Sequence, residues 1–318
     1  MSSLERLTVL GAGVLGGQIA WHSAFKGKTV TVYDIDADAI DRSMAAHDQY
    51  AALYKADLGA ADTDITATRQ RLSYGTDLAA AVAEADLVIE AVPEIPDIKI
   101  AVYEQMAGLL PPDTLVATNS STLLPSDFAS ATGRPARFCA LHFAVMIWTM
   151  NYAEVMAHPG TSRETLTQVT EFAVEIGMVP IAVRKEQNGY VANSWVVPLL
   201  NAAQTLVTNG VATPEDVDRT YLLTGAQVGP FGMMDMIGMK TCHDVLRHWG
   251  SKTGDMQMSA NAEYIKTTFL DRGRLGLQTG KGYYEYPDPA FQRPAFLEVP
   301  DISIVEGFVD QILPMGVQ

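Results

Sequence analysis

The chain has 318 residues, of which 48% are hydrophobic and 19% charged, so it is long enough for two domains with real cores and too apolar to be disordered. Its 37 acidic and 22 basic residues give a formal net charge of −15, which argues against nucleic acid and anionic membrane surfaces as partners. The start, MSSLERLTVL, lacks the basic and apolar regions of a signal peptide, and no apolar run reaches the roughly 18 residues of a membrane span. An anionic ligand would therefore need a local cradle.

A candidate cradle follows the first predicted strand. Residues 7–10 are apolar and run into the motif Gly11-x-Gly13-x-x-Gly16, after which a helix is predicted over residues 17–25. Gly11 permits a tight turn, Gly13 lets the backbone approach a pyrophosphate, and Gly16 allows close packing of the helix on the strand. The N-terminus of the helix adds free N–H groups and a partial positive charge. This arrangement predicts a dinucleotide site.

The second predicted strand, residues 29–33, ends at Asp34. This carboxylate lies eighteen residues beyond Gly16, where it would accept hydrogen bonds from the adenosine ribose hydroxyls. No Arg or Lys stands between Asp34 and Arg42, so a 2′-phosphate would meet only negative charge. The sequence therefore predicts NAD rather than NADP as the cofactor. The alternative is an ordinary strand–helix turn with a solvated aspartate.

Alternating elements continue along the first half of the chain. Apolar strands are predicted over residues 86–92, 114–118 and 136–143, and a helix over residues 98–110. This order predicts an α/β fold with a doubly wound, mainly parallel sheet of the Rossmann type, whose ligands bind beyond the carboxyl ends of the strands. Polar residues stand at three of those ends: Glu90 to Glu94, Asn119 to Thr122, and the region of His142.

The second half of the chain reads differently. Helical spacing of apolar residues over 190–209, 214–224 and 240–249 predicts an all-helical C-terminal domain. Its glycine- and methionine-rich run at residues 229–239 suits either a subunit contact or plain core.

The polar run at residues 184–189 predicts the domain boundary. It divides the chain into an N-terminal domain over residues 1–184 and a helical domain over residues 185–318. The residues from Pro287 onward are predicted to form an extended appendage.

Only two cysteines occur, Cys139 and Cys242, in apolar or mixed segments without paired spacing. They predict buried structural thiols, with neither a disulfide nor a metal site, in a reducing compartment such as the cytoplasm.

Taken together, these features resemble the 3-hydroxyacyl-CoA dehydrogenase family over roughly residues 5–286. The resemblance rests on eight motifs that occur in the family's order: VLGAGVLGGQIA at 9–20, LVIEAVPE at 87–94, TNSSTL at 118–123, LHF at 141–143, AEVM at 153–156, NGYVAN at 188–193, VGPFGMMDMIG at 228–238 and TGKGYYEY at 279–286. It implies an NAD-dependent oxidoreductase of fatty acid metabolism that acts on an acyl-CoA thioester. It also implies a helical domain that contributes to substrate binding and forms a homodimer.

The resemblance assigns a catalytic pair. It implies that His142 is the general base toward the substrate's 3-hydroxyl group and that Glu154, twelve residues later, hydrogen-bonds the other ring nitrogen. Such a base must be neutral when it takes the proton, and a neighbouring carboxylate both fixes its tautomer and stabilises the imidazolium. A structural histidine near a strand end is the alternative.

Four further positions carry over from the family. Ser121 would contact the substrate and the cofactor, and the amide of Asn193 would hold the substrate oxygen; local capping is the alternative for both. Glu94 and Lys99 fall where the family has an acid and a lysine near the nicotinamide half of the cofactor, although Lys99 could instead be a solvated helix residue.

The sequence departs from the family after Phe143. Where the family reads F-N-P, this chain has Val145 and Met146 after Ala144, and Trp148 follows close by. One hypothesis is that this apolar segment reshapes the acyl end of the pocket. The other is a packing change away from the substrate.

A second departure concerns coenzyme A. The helical excursion over residues 45–68 offers only Lys55 among several acids, a poor host for a trianionic nucleotide tail, although Arg69 and Arg71 could compensate. Two alternatives to the acyl-CoA dehydrogenase therefore stay open. One is a dehydrogenase of a free β-hydroxy acid, such as carnitine or a sugar acid, and the other is a non-catalytic NAD-binding protein.

Overall fold

The computed structural model describes residues 4–312 and divides the chain into two compact units, Met1–Ser194 and Trp195–Gln318. The division lies C-terminal to the polar run at residues 184–189. Among the described helices, none combines the length and the apolar character that a membrane crossing requires.

One eight-stranded sheet organises the first unit, in the order β3-β2-β1-β4-β5-β6-β7-β8. Its strands are β1 (Arg6–Leu10), β2 (Thr29–Tyr33), β3 (Leu72–Gly75), β4 (Leu87–Glu90), β5 (Leu115–Thr118), β6 (Phe138–Phe143), β7 (Tyr152–Met156) and β8 (Val179–Val183). All neighbouring strands are parallel except β6 and β7. The predicted Rossmann-type, mainly parallel sheet is confirmed, and β3, β7 and β8 add to the predicted strands.

Helices cover both faces of this sheet. They are α1 (Val14–Phe25), α2 (Ala37–Leu58), α3 (Asp62–Gln70), α4 (Leu78–Val82), α5 (Pro96–Ala107) and α6 (Arg163–Glu175). Successive strand residues alternate between two cores, with Val9 and Ile89 in one and Leu10 and Val88 in the other. This is why the strands read as continuous apolar runs. Start and stop signals are local: the carboxylate of Asp36 caps α2, which ends at a left-handed glycine.

The described part of the second unit is helical, as predicted. It contains α8 (Pro214–Leu222), α9 (Pro230–Ile237), α10 (Met239–Thr253), α11 (Met256–Thr268) and α12 (Val305–Ile312), while α7 (Ala192–Thr208) begins just before the division. Met234 and Met239 are fully buried in its core, so these two methionines of the 229–239 run are core residues.

The prediction of an extended appendage from residue 287 is wrong for residues 287–296, whereas residues 297–307 are exposed. Phe291 and Phe296 are buried in the helical core, and short turns lead from them to α12. The aromatic side chains supply enough apolar area to hold this segment on the unit.

The carboxylate of Asp235 on α9 holds the TGKGYYEY segment in place. It accepts hydrogen bonds from the backbone N–H groups of Tyr283 and Tyr284, at 2.8 and 2.9 Å, and from the hydroxyl of Tyr286 at 3.2 Å. Burial nevertheless raises the pKa of Asp235 to about 6. The motifs VGPFGMMDMIG and TGKGYYEY are therefore hydrogen-bonded to each other through Asp235.

Candidate active site

The glycine loop between β1 and α1 has the shape of a phosphate cradle. Gly11 has φ of 101°, and a Cβ there would lie 2.6 Å from the carbonyl oxygen of Ala91. A Cβ on Gly16 would lie 2.0 Å from the carbonyl oxygen of Gly11. A Cβ on Gly13, by contrast, would meet nothing within 4 Å. Gly11 and Gly16 are required by close packing, whereas Gly13 leaves open space at the start of α1.

Gly13 is also the N-cap of α1 and provides no side-chain hydrogen bond to the first turn. The N-terminal N–H groups of α1 therefore have no capping side chain, as an anion-binding helix start requires.

Asp34 lies beside this loop, at the carboxyl end of β2. Its Oδ2 accepts a hydrogen bond from the N–H of Ala12 at 2.8 Å, and its Oδ1 accepts one from Asp36 N–H at 3.1 Å. The carboxylate is thus fixed next to the glycine loop, which is the relative position that a pyrophosphate and its adenosine ribose need. These residues fit NAD. The three glycines and Asp34 are therefore brought together.

His142 and Glu154 are cross-strand neighbours. Strands β6 and β7 are antiparallel and pair these two residues directly, so the twelve-residue spacing is the span of one hairpin. His142 Nδ1 lies 2.7 Å from Glu154 Oε2, and both residues are buried, with 4% and 1% of their surface exposed. A carboxylate can only accept, so Nδ1 carries the proton and Nε2 is the basic nitrogen.

The second oxygen of Glu154 is fixed by the NGYVAN segment. Oε1 accepts hydrogen bonds from the N–H groups of Val191 and Ala192, both at 2.8 Å. Two consecutive left-handed residues, Gly189 with φ of 78° and Tyr190 with φ of 54°, precede these donors. With both oxygens engaged, Glu154 is held in one orientation and fixes the position of His142 Nδ1.

Ser121 and Asn193 complete the cluster. Ser121 Oγ lies 3.1 Å from His142 Nε2, the nitrogen that faces away from Glu154. The amide of Asn193 donates to the carbonyl oxygen of Ser121 at 3.4 Å, and the amide of Asn188 donates to that of Thr122 at 2.7 Å. All four residues predicted to be catalytic are therefore in one hydrogen-bonded cluster.

Glu94 organises the loop that carries Ser121. Its Oε1 accepts from the hydroxyl of Ser120 at 2.5 Å, from the N–H groups of Ser121 and Thr122 at 2.9 and 2.8 Å, and from the Thr122 hydroxyl at 2.9 Å. Burial opposes the charge of Glu94, but Lys99 and these hydrogen bonds outweigh it and lower the pKa of the carboxyl group.

Lys99 is buried, with 1% of its surface exposed, so the alternative of a solvated helix residue is wrong. Its Nζ lies 2.7 Å from Glu90 Oε1 and 3.2 Å from Glu94 Oε2. Lys99 therefore links Glu90, at the end of β4, to Glu94, whose carboxylate accepts hydrogen bonds from the Ser121 loop.

Glu90 is a member of this network whose role the sequence did not indicate. Fully buried at the end of β4, it also accepts hydrogen bonds from the hydroxyls of Tyr103 and Thr118, at 2.6 and 2.8 Å. A carboxylate closing an apolar strand is the signal that could have identified it, because a buried charge requires partners. Asn119 is a second such residue, since its side-chain oxygen accepts from the N–H of Phe143, next to His142, at 2.9 Å.

Trp148 belongs to the core of the first unit. It is 7% exposed, its indole N–H donates to Asp57 at 2.7 Å, and its ring lies 5.4 Å from that of Tyr54. Ile147 beside it is fully buried in the same core. These contacts favour the packing interpretation of the segment after Phe143 over a wall of the acyl pocket.

The cluster can act as an acid–base device. His142 Nε2, next to the hydroxyl of Ser121, can take a proton from a hydroxyl group placed there, and Glu154 stabilises the resulting cation. The polar hydrogens of Ser121 and Asn193 can orient an oxygen at the same point.

Comparison with known proteins covers most of the chain. Residues 6–187 match the NAD-binding domain of 3-hydroxyacyl-CoA dehydrogenase, and residues 189–286 match its C-terminal domain. A probable 3-hydroxybutyryl-CoA dehydrogenase of Deinococcus radiodurans is 33% identical over 280 residues, which are 87% of this chain and 99% of that protein.

Two solved structures are also similar. A diketoreductase, described as carrying out substrate-directed dual catalysis of dicarbonyl compounds, is 46% identical with a TM-score of 0.80, covering 90% of this chain and all of its own. The (S)-3-hydroxybutyryl-CoA dehydrogenase PaaH1 of Ralstonia eutropha is 27% identical with a TM-score of 0.74, at the same coverage of both chains.

Proposed function

The chain belongs to the 3-hydroxyacyl-CoA dehydrogenase family of NAD-dependent oxidoreductases, and we propose that it interconverts a 3-hydroxyacyl-CoA and the 3-ketoacyl-CoA with His142 as the general base. The observation that carries this proposal is the line of hydrogen bonds from Ser121 through His142 to Glu154. As a member of a family of oxidoreductases with this acid–base cluster, the chain is an enzyme, and the alternative of a non-catalytic NAD-binding protein is not retained.

Each residue of the cluster has a defined part in the proposed reaction. Bound NAD supplies the acceptor for the hydride that leaves carbon 3. His142 Nε2 takes the proton of the 3-hydroxyl group, and Glu154 stabilises the imidazolium that forms. Ser121 and the amide of Asn193 orient the substrate oxygen and stabilise its developing charge. In the reverse direction, His142 returns the proton to the ketone oxygen.

The proposed cofactor contacts extend from the glycine loop to the Ser121 loop. Gly11, Gly13 and Gly16 would hold the pyrophosphate at the start of α1, and Asp34 the adenosine ribose. Glu94 would border the nicotinamide half, and Lys99, which is buried, would act on it only through its ion pair with Glu94.

A second candidate is a dehydrogenase of a free dicarbonyl compound or β-hydroxy acid, without coenzyme A. The 46% identity to a diketoreductase favours it. So does the charge of the α2–α3 region, where the basic side chains already have protein partners. Arg42 is paired with Asp36 at 3.1 Å, Lys55 with Asp62 at 2.5 Å, Arg69 with Asp48 at 2.6 Å, and Arg71 donates to the carbonyl oxygen of Ala24 at 3.2 Å. A phosphate tail would have to displace these acids.

One experiment tests both candidates. The purified protein is mixed with NADH and either acetoacetyl-CoA, free acetoacetate or an uncharged β-diketone, beside the His142→Ala variant. Turnover of the thioester alone, lost in the variant, would support the first candidate. Turnover of the free compounds without the thioester would reject it in favour of the second. If His142→Ala keeps the activity of the wild type, the assignment of the base is wrong.

We also propose a homodimer formed through the helical unit. Along α7, Trp195, Pro198, Ala202 and Leu206 recur on one face and are exposed, Trp195 by 54% and Leu206 by 39%. An exposed apolar stripe of this kind suits an interface with a second copy of the chain. Light scattering after size exclusion tests it: Leu206→Glu should give monomers, and a monomeric wild type would contradict the proposal.

The cytoplasm remains the proposed compartment. Cys139 and Cys242 are free and buried, and burial raises the pKa of each thiol to about 12, as expected of unreactive structural cysteines. Fractionation of native cells is the direct test.

A further inference from the structure

Among the described residues, the ring of Tyr190 packs against that of the proposed base. Its ring centroid lies 5.0 Å from that of His142, with 39° between the two planes. Only 1% of its surface is exposed, and it packs among buried apolar side chains that include Ala140 and Met156. The imidazole therefore lies close to a ring that cannot readily move away.

The backbone of Tyr190 is in a conformation that tyrosine rarely adopts. Its φ of 54° lies in the left-handed region, which is unfavourable for residues with a Cβ. Hydrogen bonds fix the backbone there: its N–H donates to Gln187 at 3.0 Å, and its carbonyl oxygen accepts from the hydroxyl of Ser194. Such strain persists where the surrounding structure determines the geometry, and it is concentrated at functional sites.

The hydroxyl group of Tyr190 is buried and has no hydrogen-bond partner among the described residues. Burial, followed by the charges of Glu94 and Glu154, raises the pKa of this hydroxyl well above its usual value, so it stays neutral. A buried hydroxyl without a partner is destabilising. The ring of Tyr190 makes the contact with His142. Its hydroxyl group forms no hydrogen bond among the described residues that would explain why a tyrosine occupies residue 190.

We propose that Tyr190 is a positioning residue for catalysis, whose ring holds the imidazole of His142 in the plane that joins Glu154 to Ser121. This proposal rests on the proposed function of His142. Two hydrogen bonds hold the nitrogens of that imidazole in position, but each of them tolerates a small tilt of the ring. An aromatic ring packed against the imidazole limits that tilt, and a small misplacement of a reacting group can cost about 100-fold in rate.

Three variants test the proposal. Tyr190→Phe keeps the ring, and Tyr190→Leu removes it while the site stays apolar. Phe172→Leu is the matched control, because Phe172 is a fully buried aromatic residue of the same unit on α6 and packs in a different apolar core from Tyr190. Steady-state NADH oxidation gives kcat and KM for the carbonyl compound that the wild-type protein reduces in the assay proposed above, and a thermal melt shows that each variant is folded.

Tyr190→Leu is expected to lower kcat by about 10- to 100-fold with the KM for NADH within about twofold of the wild type. Tyr190→Phe and Phe172→Leu should keep kcat within about threefold. Equal losses in Tyr190→Phe and Tyr190→Leu would overturn the proposal, since the hydroxyl would then be the active part. Unchanged kcat in Tyr190→Leu would also overturn it.

A second measurement does not depend on turnover. The Nδ1 proton of His142 is observed by NMR with labelled histidine and assigned from its loss in His142→Gln. Faster solvent exchange of this proton in Tyr190→Leu, but not in Tyr190→Phe, is expected, and equal exchange in all variants would overturn the proposal. If the wild-type protein reduces no carbonyl compound, the proposed function fails, while this comparison still decides the positioning role.

Discussion

Replacing Glu154 with glutamine tests the catalytic cluster most directly. Its Oε1 accepts two backbone N–H groups, from Val191 and Ala192, so the glutamine must place its carbonyl oxygen there. Its NH₂ group then faces His142 Nδ1, which has to accept instead of donate. The proton moves to Nε2, and the nitrogen beside Ser121 can no longer take a proton from the substrate.

The expected loss is large because the base is present but in the wrong tautomer. General-base catalysis is worth about 10²- to 10⁴-fold, and the loss of the partner that fixes a histidine's tautomer falls at the upper part of that range. We expect kcat to fall by about 1,000-fold, which is about 4 kcal/mol in activation free energy. The side chain of Glu154 is 1% exposed, so water cannot readily take its place as the acceptor.

The assay is NADH oxidation under saturating conditions, with NADH affinity measured separately by fluorescence titration. The cofactor cradle is formed by other residues, so NADH affinity should be unchanged. Glu164→Gln, at an exposed position in the first turn of α6, is the control for loss of a carboxylate. A Glu154→Gln variant that folds and keeps more than about a fifth of the wild-type kcat would refute the reasoning, since even the lowest contribution expected of the base is about 100-fold.

Three further predictions concern the cofactor, the acid stability and the core. Asp34→Ser should weaken NADH binding about tenfold or more and reduce the discrimination against NADPH, because the ribose acceptor and its negative charge are lost together; equal Kd values for wild type and variant would contradict this. Burial lowers the pKa of His22 and His47 to about 4. Between pH 4 and 6.5 these histidines therefore bind more protons in the unfolded chain than in the folded one. The free energy of unfolding should rise with pH over this range by about 3 kcal/mol for each histidine. Burial raises the pKa of Asp235 to about 6 and also raises that of Asp218, and both carboxyl groups oppose this gain. The free energy of unfolding from urea titrations should therefore rise from pH 4 to 7 by less than the two histidines alone would give, and a flat or falling profile would count against it. Trp148→Ala should lower the free energy of unfolding by about 3 kcal/mol or more and leave the preference between short and long substrates unchanged; altered selectivity with normal stability would restore the pocket hypothesis.

The parts of the fold with strong local signals were predictable from the sequence. The first strand, the glycine loop and α1 follow one another within twenty residues, and each has its own composition. Strand β7 was missed because it carries Glu154 in its interior, and β8 because Pro180 interrupts a segment that is mostly exposed. An antiparallel hairpin that joins a parallel sheet depends on pairing between distant residues, which local periodicity does not report.

The candidate site was predicted in its members and in the His142–Glu154 hydrogen bond, but not in its other connections. The resemblance paired His142 with Glu154, and the register of β6 against β7 shows why twelve residues separate them. Lys99 on α5 could be assigned from the sequence to solvent or to the cofactor with equal reason. Its burial depends on Glu90, a partner on another element, and no pattern along the helix contains that information.

The positions of Glu94 and Lys99 also bear on how the site keeps its shape. Glu90 and Lys99 form a fully buried ion pair, and Glu94 extends it to the loop of Ser121. A buried pair contributes little net stability compared with apolar packing, but removing one partner is costly because the other charge is left uncompensated. Displacing the Ser121 loop would therefore disturb this network and carry a large free-energy penalty. On the other side of His142, the NGYVAN segment fixes Glu154 through two backbone hydrogen bonds, from the N–H groups of Val191 and Ala192. Moving Glu154 would break both of these hydrogen bonds. His142 therefore lies between the Ser121 loop and Glu154, each of which is held by interactions that are unfavourable to break. This is the preorganisation that proton transfer at a defined atom requires.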